Sequence, residues 1–418
     1  MEKTWQHWQG WIEPWYFVYA LIGLVVAGLI PVLVPLIVSH TGTAGQVGMV
    51  MGAVSLGGLT SPLWGSLADR YRLHRWLLVG GMLTTTVGLA AFAFTTQPVI
   101  WLLLAVIQGF GTAGAATVAN LFVVEAHPKT EWDERIGWLQ TFYGIGQVSG
   151  LLLAGVLTQI DFRIGFLAAG GLSAAAAILG WLTTKTPPAQ PSVEPVLRHP
   201  ARHTEWVFSS PQRLFHRPKL AGIKTPAFTL GSPYGVFLIF WLLSFAGSAA
   251  VFSQYPVLMQ KVYEVTPAAS SIAFAIIAGL GLTLYTPAGQ WSEHHGPARI
   301  LRISLGLRLF AFAGLLWLGF IPTGGLTGTL ALLAFGFVVW AWSLMSVSGT
   351  ALAAQLSPVG EGQGMGIFNA MTAVAGVIGA VLGGWVAGLW GYNSIVILAL
   401  LGVALGLGLS FLINKKDL

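Results

Sequence analysis

The chain has no cysteine in its 418 residues, which excludes disulfides, thiol nucleophiles and cysteine-held iron–sulfur clusters. Charge is scarce as well. Lys, Arg, Asp and Glu make up 8% of residues, against about 25% in an ordinary soluble domain. So few charges cannot cover a water-facing surface, which excludes a soluble globular protein. Asp and Glu number 14, and none falls in the middle of a long apolar run. A mid-span carboxylate is the usual proton carrier in pumps. Any proton coupling must therefore run through Glu13, Glu125, Asp69 or a loop histidine such as His40. There is no HExxH, P-loop or GxSxG motif and no His/Asp cluster at ligand spacing. An enzyme is not expected, nor a cofactor or metal. The net charge of +6 sits in loops, where it sets topology, so nucleic acid is not an expected partner.

What the chain has in abundance is apolar sequence. Hydrophobic residues are 55% of the total, with 54 Gly and 18 Trp, and the mean hydropathy is +0.75. A span needs roughly 20 apolar residues. Twelve such runs are present, at 15–38, 45–67, 75–96, 99–124, 136–159, 163–184, 233–257, 268–291, 298–320, 328–353, 364–388 and 391–413. Helix is the state they must adopt, because open sheet edges are not tolerated in lipid. The expected fold is all-α, with twelve transmembrane helices. Trp5, Trp8, Trp11 and Trp15 share one helical face, which predicts a short interfacial helix before the first span. No cleavable signal peptide is expected, because the first apolar run is too long for one.

Lys and Arg set the orientation. One side holds Lys3, Arg70, Arg72, Arg75, Lys129, Arg135, the basic run from Lys185 to Lys224, Arg299, Arg302, Lys415 and Lys416. The other holds Arg163 and Lys261. The basic side is expected to be cytoplasmic, with both termini there, in the plasma (inner) membrane. Residues 186–231 are Pro-rich, basic and without periodicity, as expected of a cytoplasmic linker; a piece around Arg213–Leu220 is suited to anionic lipid. The linker divides the chain into a six-helix bundle at 1–185 and another at 232–418.

The halves repeat each other. Ile136-Gly137-Trp-Leu-Gln140 aligns with Met365-Gly366-Ile-Phe-Asn369, and at the same offset Gly150 meets Gly379 and Gly155 meets Gly384. A basic segment, Gly65-Ser-Leu-Ala-Asp69-Arg70-Tyr-Arg72-Leu-His-Arg75, expected to be a tight loop, has a degenerate copy from Gly289 through Glu293 and Gly296 to Arg299. Parallel six-helix halves are a transporter architecture. Here the sequence resembles the major facilitator superfamily, whose signature loop reads roughly G-x-L-A-D-R-x-G-R-[RK]. Gly65, Leu67, Ala68, Asp69 and Arg70 match; Arg72 and Leu73 depart. Gln108-Gly109-Phe-Gly111 resembles the fourth-helix motif R-x-x-Q-G-x-G of proton-driven members, with Ala105 for the arginine. Gly146, Gly150 and Gly155 resemble the fifth-helix motif of exporters, with Leu151 for its proline.

The resemblance implies a secondary transporter working by alternating access, with a small-molecule substrate, protons as coupling partner, the bilayer around it and a monomer as working unit. Efflux of a small neutral or amphipathic solute is the expected activity; an uncoupled facilitator or importer and a lipid flippase are the alternatives. The implied gate is Gly65, Asp69, Arg70, Arg72, Arg75, Glu125, Arg135 and Glu293. Asp69 would cap the start of the eleventh helix, and a carboxylate at a helix N-terminus gains ~0.3–1 kcal/mol. Helices one, four, seven and ten line the cavity in the family. Substrate candidates are Tyr16, Tyr19, Gln108, Asn120, Gln254, Tyr255, Tyr285, Trp340 and Trp342, together with Gln140, Tyr143 and Gln147 of a polar stripe on the fifth span and Asn369, which mirrors it on the eleventh. An uncharged, aromatic-rich cavity is expected. Arg308, about three turns into the ninth span, is expected to snorkel, the alternative being contact with an anionic substrate.

Overall fold

Several helix starts are set by local capping chemistry. Thr43 and Gln46 form a capping box. Ser232 and Thr266 each cap a helix whose first residue is proline, Pro233 and Pro267, where the missing N–H costs nothing. Asp161 accepts from the Arg163 N–H at 2.9 Å. Gly296, with φ at 85°, turns the chain into Pro297, a conformation that glycine adopts without a Cβ penalty.

The computed structural model describes residues 13–71, 73–126, 132–184, 231–322, 324–358 and 361–413, without the side chains at 62, 65, 66, 69, 70, 120, 121, 123–126, 132–134, 136 and 361–363. The helices are α1 (Tyr16–Thr41, with a π-helical stretch at Leu24–Leu29), α2 (Ala44–Leu56), α3 (Ser61–Tyr71), α4 (His74–Phe92), α5 (Pro98–Ala126), α6 (Trp132–Leu157), α7 (Phe162–Thr183), α8 (Pro233–Tyr263), α9 (Pro267–Leu282), α10 (Tyr285–His295), α11 (Pro297–Leu318), α12 (Gly325–Leu356), α13 (Glu361–Trp390) and α14 (Asn393–Ser410). No strand occurs among the described residues.

Nine of these helices are long and apolar enough to cross a membrane, and α9 with α10, bent by 47°, makes a tenth. The two remaining expected spans are helical but fall short for local reasons. The second is broken between α2 and α3 by a 3₁₀ turn at Gly57–Thr60, followed by Pro62. The fifth, α6, carries the polar side chains Gln140, Tyr143 and Gln147. The breaks in the second and eighth spans correspond. Pro62 and Pro287 each remove a helix N–H, and α3 and α10 are each 11 residues long. The basic segment is therefore not a loop. Helix runs through Asp69 and Arg70 to Tyr71 and resumes at His74, because helices continue beyond the hydrocarbon wherever polar side chains reach water. The expected interfacial helix (apart from Trp15, which is buried) and the linker lie outside the described residues.

Glycine sets the packing. A Cβ on Gly28 would stand 2.5 Å from the Gly150 Cα, so α1 crosses α6 with the backbones in contact. Gly379 of α13 packs on Ala246 and Ala249 of α8 in the corresponding way. The partner positions bridge the two groups of helices, α1–α7 and α8–α14, instead. A Cβ on Gly384 would stand 2.7 Å from the Gly48 Cα of α2, while Gly155 faces Ala268 and Ile272 of α9. The bridges between Gly48 and Gly384 and from Gly155 to Ala268 lie toward the end of the molecule away from the basic loops. Side chains such as Val87, Phe310 and Trp385 are largely exposed and form an apolar outer surface suited to lipid.

Candidate functional site

A cavity of about 390 Å³ lies between the two groups of helices. The first group contributes Ala27 and Pro31 of α1, Met51 and Ser55 of α2, and Gln147 of α6. The π-helical stretch of α1 runs into Pro31, whose missing N–H leaves the Ala27 carbonyl without its usual partner four residues on. A helix irregularity of this kind is tolerated in a membrane where it is buried in protein or lines a cavity.

The second group supplies the bulk of the wall. From α8 come Phe245, Ser248, Phe252, Ser253 and Tyr255; α9 and α10 add Phe274 and Tyr285; α12 adds Trp342 and Ser343; α11 adds Arg308. The aromatic side chains hold one another. Tyr255 stacks on Phe335 at 4.0 Å and donates to the Ser270 carbonyl at 3.0 Å. Phe245 and Trp342 have ring centroids 5.5 Å apart. Ser343 ties α12 to α9 by donating to the Gly281 carbonyl at 3.0 Å.

Arg308 is fully buried. Its Nη1 donates to Ser248 Oγ at 2.6 Å, and Ser248 in turn donates to the Ser244 carbonyl at 2.8 Å. The Trp342 ring lies 5.5 Å from the guanidinium carbon. The expected snorkelling does not occur. Arg308 sits 11 residues into α11, roughly 16 Å along the helix, so its side chain is far from either end and turns inward. The cavity accordingly carries a cation, contrary to the uncharged lining expected. No carboxylate lines it among the described residues.

A family model described as Major Facilitator Superfamily matches residues 15–348. The chain belongs to the major facilitator superfamily. Among its curated relatives, "Tetracycline resistance protein, class C" of Escherichia coli is 30% identical over 162 residues, 38% of this chain and 40% of that protein. "Multidrug resistance protein MdtH" of Photorhabdus laumondii is 27% identical over 331 residues, 77% of this chain and 72% of that protein. A solved structure of the nucleoside transporter NupG superposes with a TM-score of 0.78 at 14% identity, over 96% of this chain and 99% of that one. The inward open xylose transporter XylE of E. coli gives 0.65 at 14%, covering 94% of each. At that identity the likeness establishes the fold. Relatives and neighbours in this superfamily are transporters, and the chain is a membrane transporter rather than an enzyme.

Against this major facilitator frame, the expected substrate residues separate. Gln147, Tyr255, Tyr285 and Trp342 line the cavity. Tyr16 and Tyr19 do not. They pack within the first group, Tyr16 edge-on to Trp15 at 4.7 Å and Tyr19 against Tyr143 at 5.0 Å. Gln108 of the fourth span is buried, and Gln140 and Asn369 are exposed, all outside the cavity lining. Among the described residues the fourth helix gives the cavity nothing, while the second, fifth, eighth, ninth and eleventh spans all contribute. Trp340 is not part of the lining; its Nε1 donates to the Ile277 carbonyl at 3.1 Å. Gln254 bridges the groups, its Nε2 donating to the Ala44 carbonyl at 3.1 Å.

Of the gate residues, Gly65, Asp69, Arg70, Arg72 and Glu125 fall outside the described side chains, as does Asn120 among the substrate candidates. Arg75 donates to the Trp181 carbonyl and lies 3.7 Å over the Trp181 ring. Arg135 pairs with Glu13 at 3.1 Å, and Trp15 Nε1 donates to the same carboxylate at 2.9 Å. Glu293 is exposed at the end of α10. The sequence reading missed Phe245, Ser248 and Phe252. Their three-to-four spacing on the seventh span was the available signal.

Proposed function

We propose that the protein exports a small amphipathic solute by alternating access, driven by the proton gradient, with one chain as the transport unit. The bundles at 1–185 and 232–418, joined by the linker 186–231, rock about the cavity, and the basic loops face the cytoplasm. The observation that carries this reading is a cavity lined from both groups of helices, with bridges between Gly48 and Gly384 and from Gln254 to Ala44 toward the non-basic end. With the basic end cytoplasmic, this is an inward-facing arrangement, ready to load from inside. The resistance and multidrug names of the relatives support efflux. Asp69 and its basic neighbours latch the inner side in the opposite state, and Glu13, paired with Arg135, carries the proton at the cytoplasmic entrance.

Everted membrane vesicles with an imposed pH gradient and a panel of amphipathic dyes test direction and coupling together. Uptake that follows the gradient is expected. The same uptake without a gradient points to the second reading, an uncoupled facilitator, which the lack of a lining carboxylate among the described residues favours.

A further inference from the structure

A guanidinium in mid-membrane is costly to keep unless something pairs with it. Among the described residues, hydrogen bonding to Arg308 accounts for one nitrogen. Nη1 is held by Ser248 at 2.6 Å, while Nε and Nη2 have no hydrogen-bond partner among the described residues. These two nitrogens form one edge of the guanidinium. Their N–H bonds run parallel, and that edge is matched by the two oxygens of a carboxylate. Ser248 fixes the opposite side of the plane, and since its hydroxyl hydrogen is committed to the Ser244 carbonyl, it must accept from Arg308. The side chain is thus oriented before any ligand arrives. No carboxylate of the described lining competes for the edge, and the Trp342 ring lies 5.5 Å away.

We infer that Arg308 anchors the anionic head of the substrate, and that the cavity takes amphipathic organic acids: one carboxylate on the Nε–Nη2 edge, and an aromatic or alicyclic body against Phe245, Phe252, Phe274 and Tyr255. This rests on the transport reading above and narrows it, because a neutral solute would leave the guanidinium buried and half-paired. The chemistry recognised is a planar anion beside a hydrophobic ring, whether borne by a soluble acid or by a lipid headgroup.

The test uses the purified full-length protein in bilayer discs and two isosteric probes, 1-naphthylacetate and its uncharged amide. Binding is read from quenching of tryptophan fluorescence and from the rise in melting temperature. The native protein is expected to bind the acid at least tenfold more tightly than the amide. Arg308→Gln is expected to remove that preference, bringing the ratio of acid to amide affinity to about one, and Arg308→Lys, which keeps the charge but not the fork, to retain only part of it. Equal affinity for the two probes, binding of neither, or a preference that survives in Arg308→Gln overturns the inference. The comparison of probes on the native protein needs no variant, so a misfolded Arg308→Gln does not rescue the idea. Discs with and without phosphatidylglycerol separate the sources. A soluble acid binds equally in both, whereas a lipid headgroup site shows competition; either outcome supports an anion site at Arg308. Failure of transport is a separate matter. Tight, Arg308-dependent binding without flux in vesicles sinks the transport reading alone, and equal flux of acid and amide sinks the anion inference alone.

Discussion

Helices α1, α2 and α6 give the cavity Ala27, Pro31, Met51, Ser55 and Gln147, whereas the helices after residue 231 give it Phe245, Phe252, Tyr255, Phe274, Tyr285, Trp342 and Arg308. The two groups share a sequence pattern, Gly150 aligning with Gly379 and Gly155 with Gly384. Those aligned glycines make equivalent contacts, Gly150 and Gly379 each within its own group and Gly155 and Gly384 each across to the other. The repeat has been kept where it serves packing and bridging, and has diverged where side chains face the cavity. The packing contacts are symmetric, and the aromatic and charged lining of the cavity belongs to the second group.

The bridging contacts offer the largest effect, and the absence of native cysteine makes them easy to address. A Cβ on Gly388 would stand 3.9 Å from the Gly45 backbone nitrogen, so Gly45→Cys combined with Gly388→Cys is expected to crosslink under mild oxidation. Flux through proteoliposomes should then fall by more than tenfold and return on reduction. A crosslinked protein that still transports would show that this end need not open, which breaks the division between a symmetric hinge and an asymmetric wall.

The wall itself is probed by matched truncations. Phe252→Ala removes a ring from the second group's side and should raise the KM for a transported dye about tenfold, consistent with the roughly 3–5 kcal/mol that a buried Phe→Ala change costs when only part of it is felt by the ligand. Gln147→Ala, from the first group's side, should raise KM less than threefold. Equal effects would erase the asymmetry. Both are measured as initial rates of vesicle uptake, with melting temperature as the control for folding.

Hydropathy and loop charge are repeated signals along the chain, so the helices and the family are legible in the sequence itself. The interior of a transmembrane bundle is another matter. Apolar residues face lipid and core alike, and hydropathy does not tell Phe252, which lines the cavity, from Phe310, which is largely exposed. Tyr16 and Tyr255 are both buried tyrosines on spans expected to line the path, yet only the neighbours of Tyr255 leave a space beside it. Arg308 was expected to snorkel because helix position is readable and side-chain direction across a bundle is not. Ser248, which settles that direction, is 60 residues away in sequence.

A smaller effect is expected at Gln254. Its Nε2 donates across the groups to the Ala44 carbonyl at 3.1 Å, and a single net hydrogen bond is worth about 1 kcal/mol. Gln254→Leu should therefore shift the balance toward opening of this end by roughly fivefold, read from the distance between spin labels carried at positions 45 and 388.

The smallest effects fall on aromatic and polar residues that share the composition of the site without its position. Tyr19 packs against Tyr143 within the first group, and Trp340, outside the cavity lining, donates to the Ile277 carbonyl of α9. Tyr19→Phe keeps the ring contact and loses only the hydroxyl. Trp340→Phe loses one hydrogen bond between α12 and α9, a link that Ser343 also makes. Substrate KM should change less than twofold in either variant, with a drop in melting temperature for Trp340→Phe. A large KM change in Tyr19→Phe would mean that the first group's aromatic cluster joins the path in another state of the cycle, and the asymmetry of the walls would then belong to one conformation rather than to the transporter.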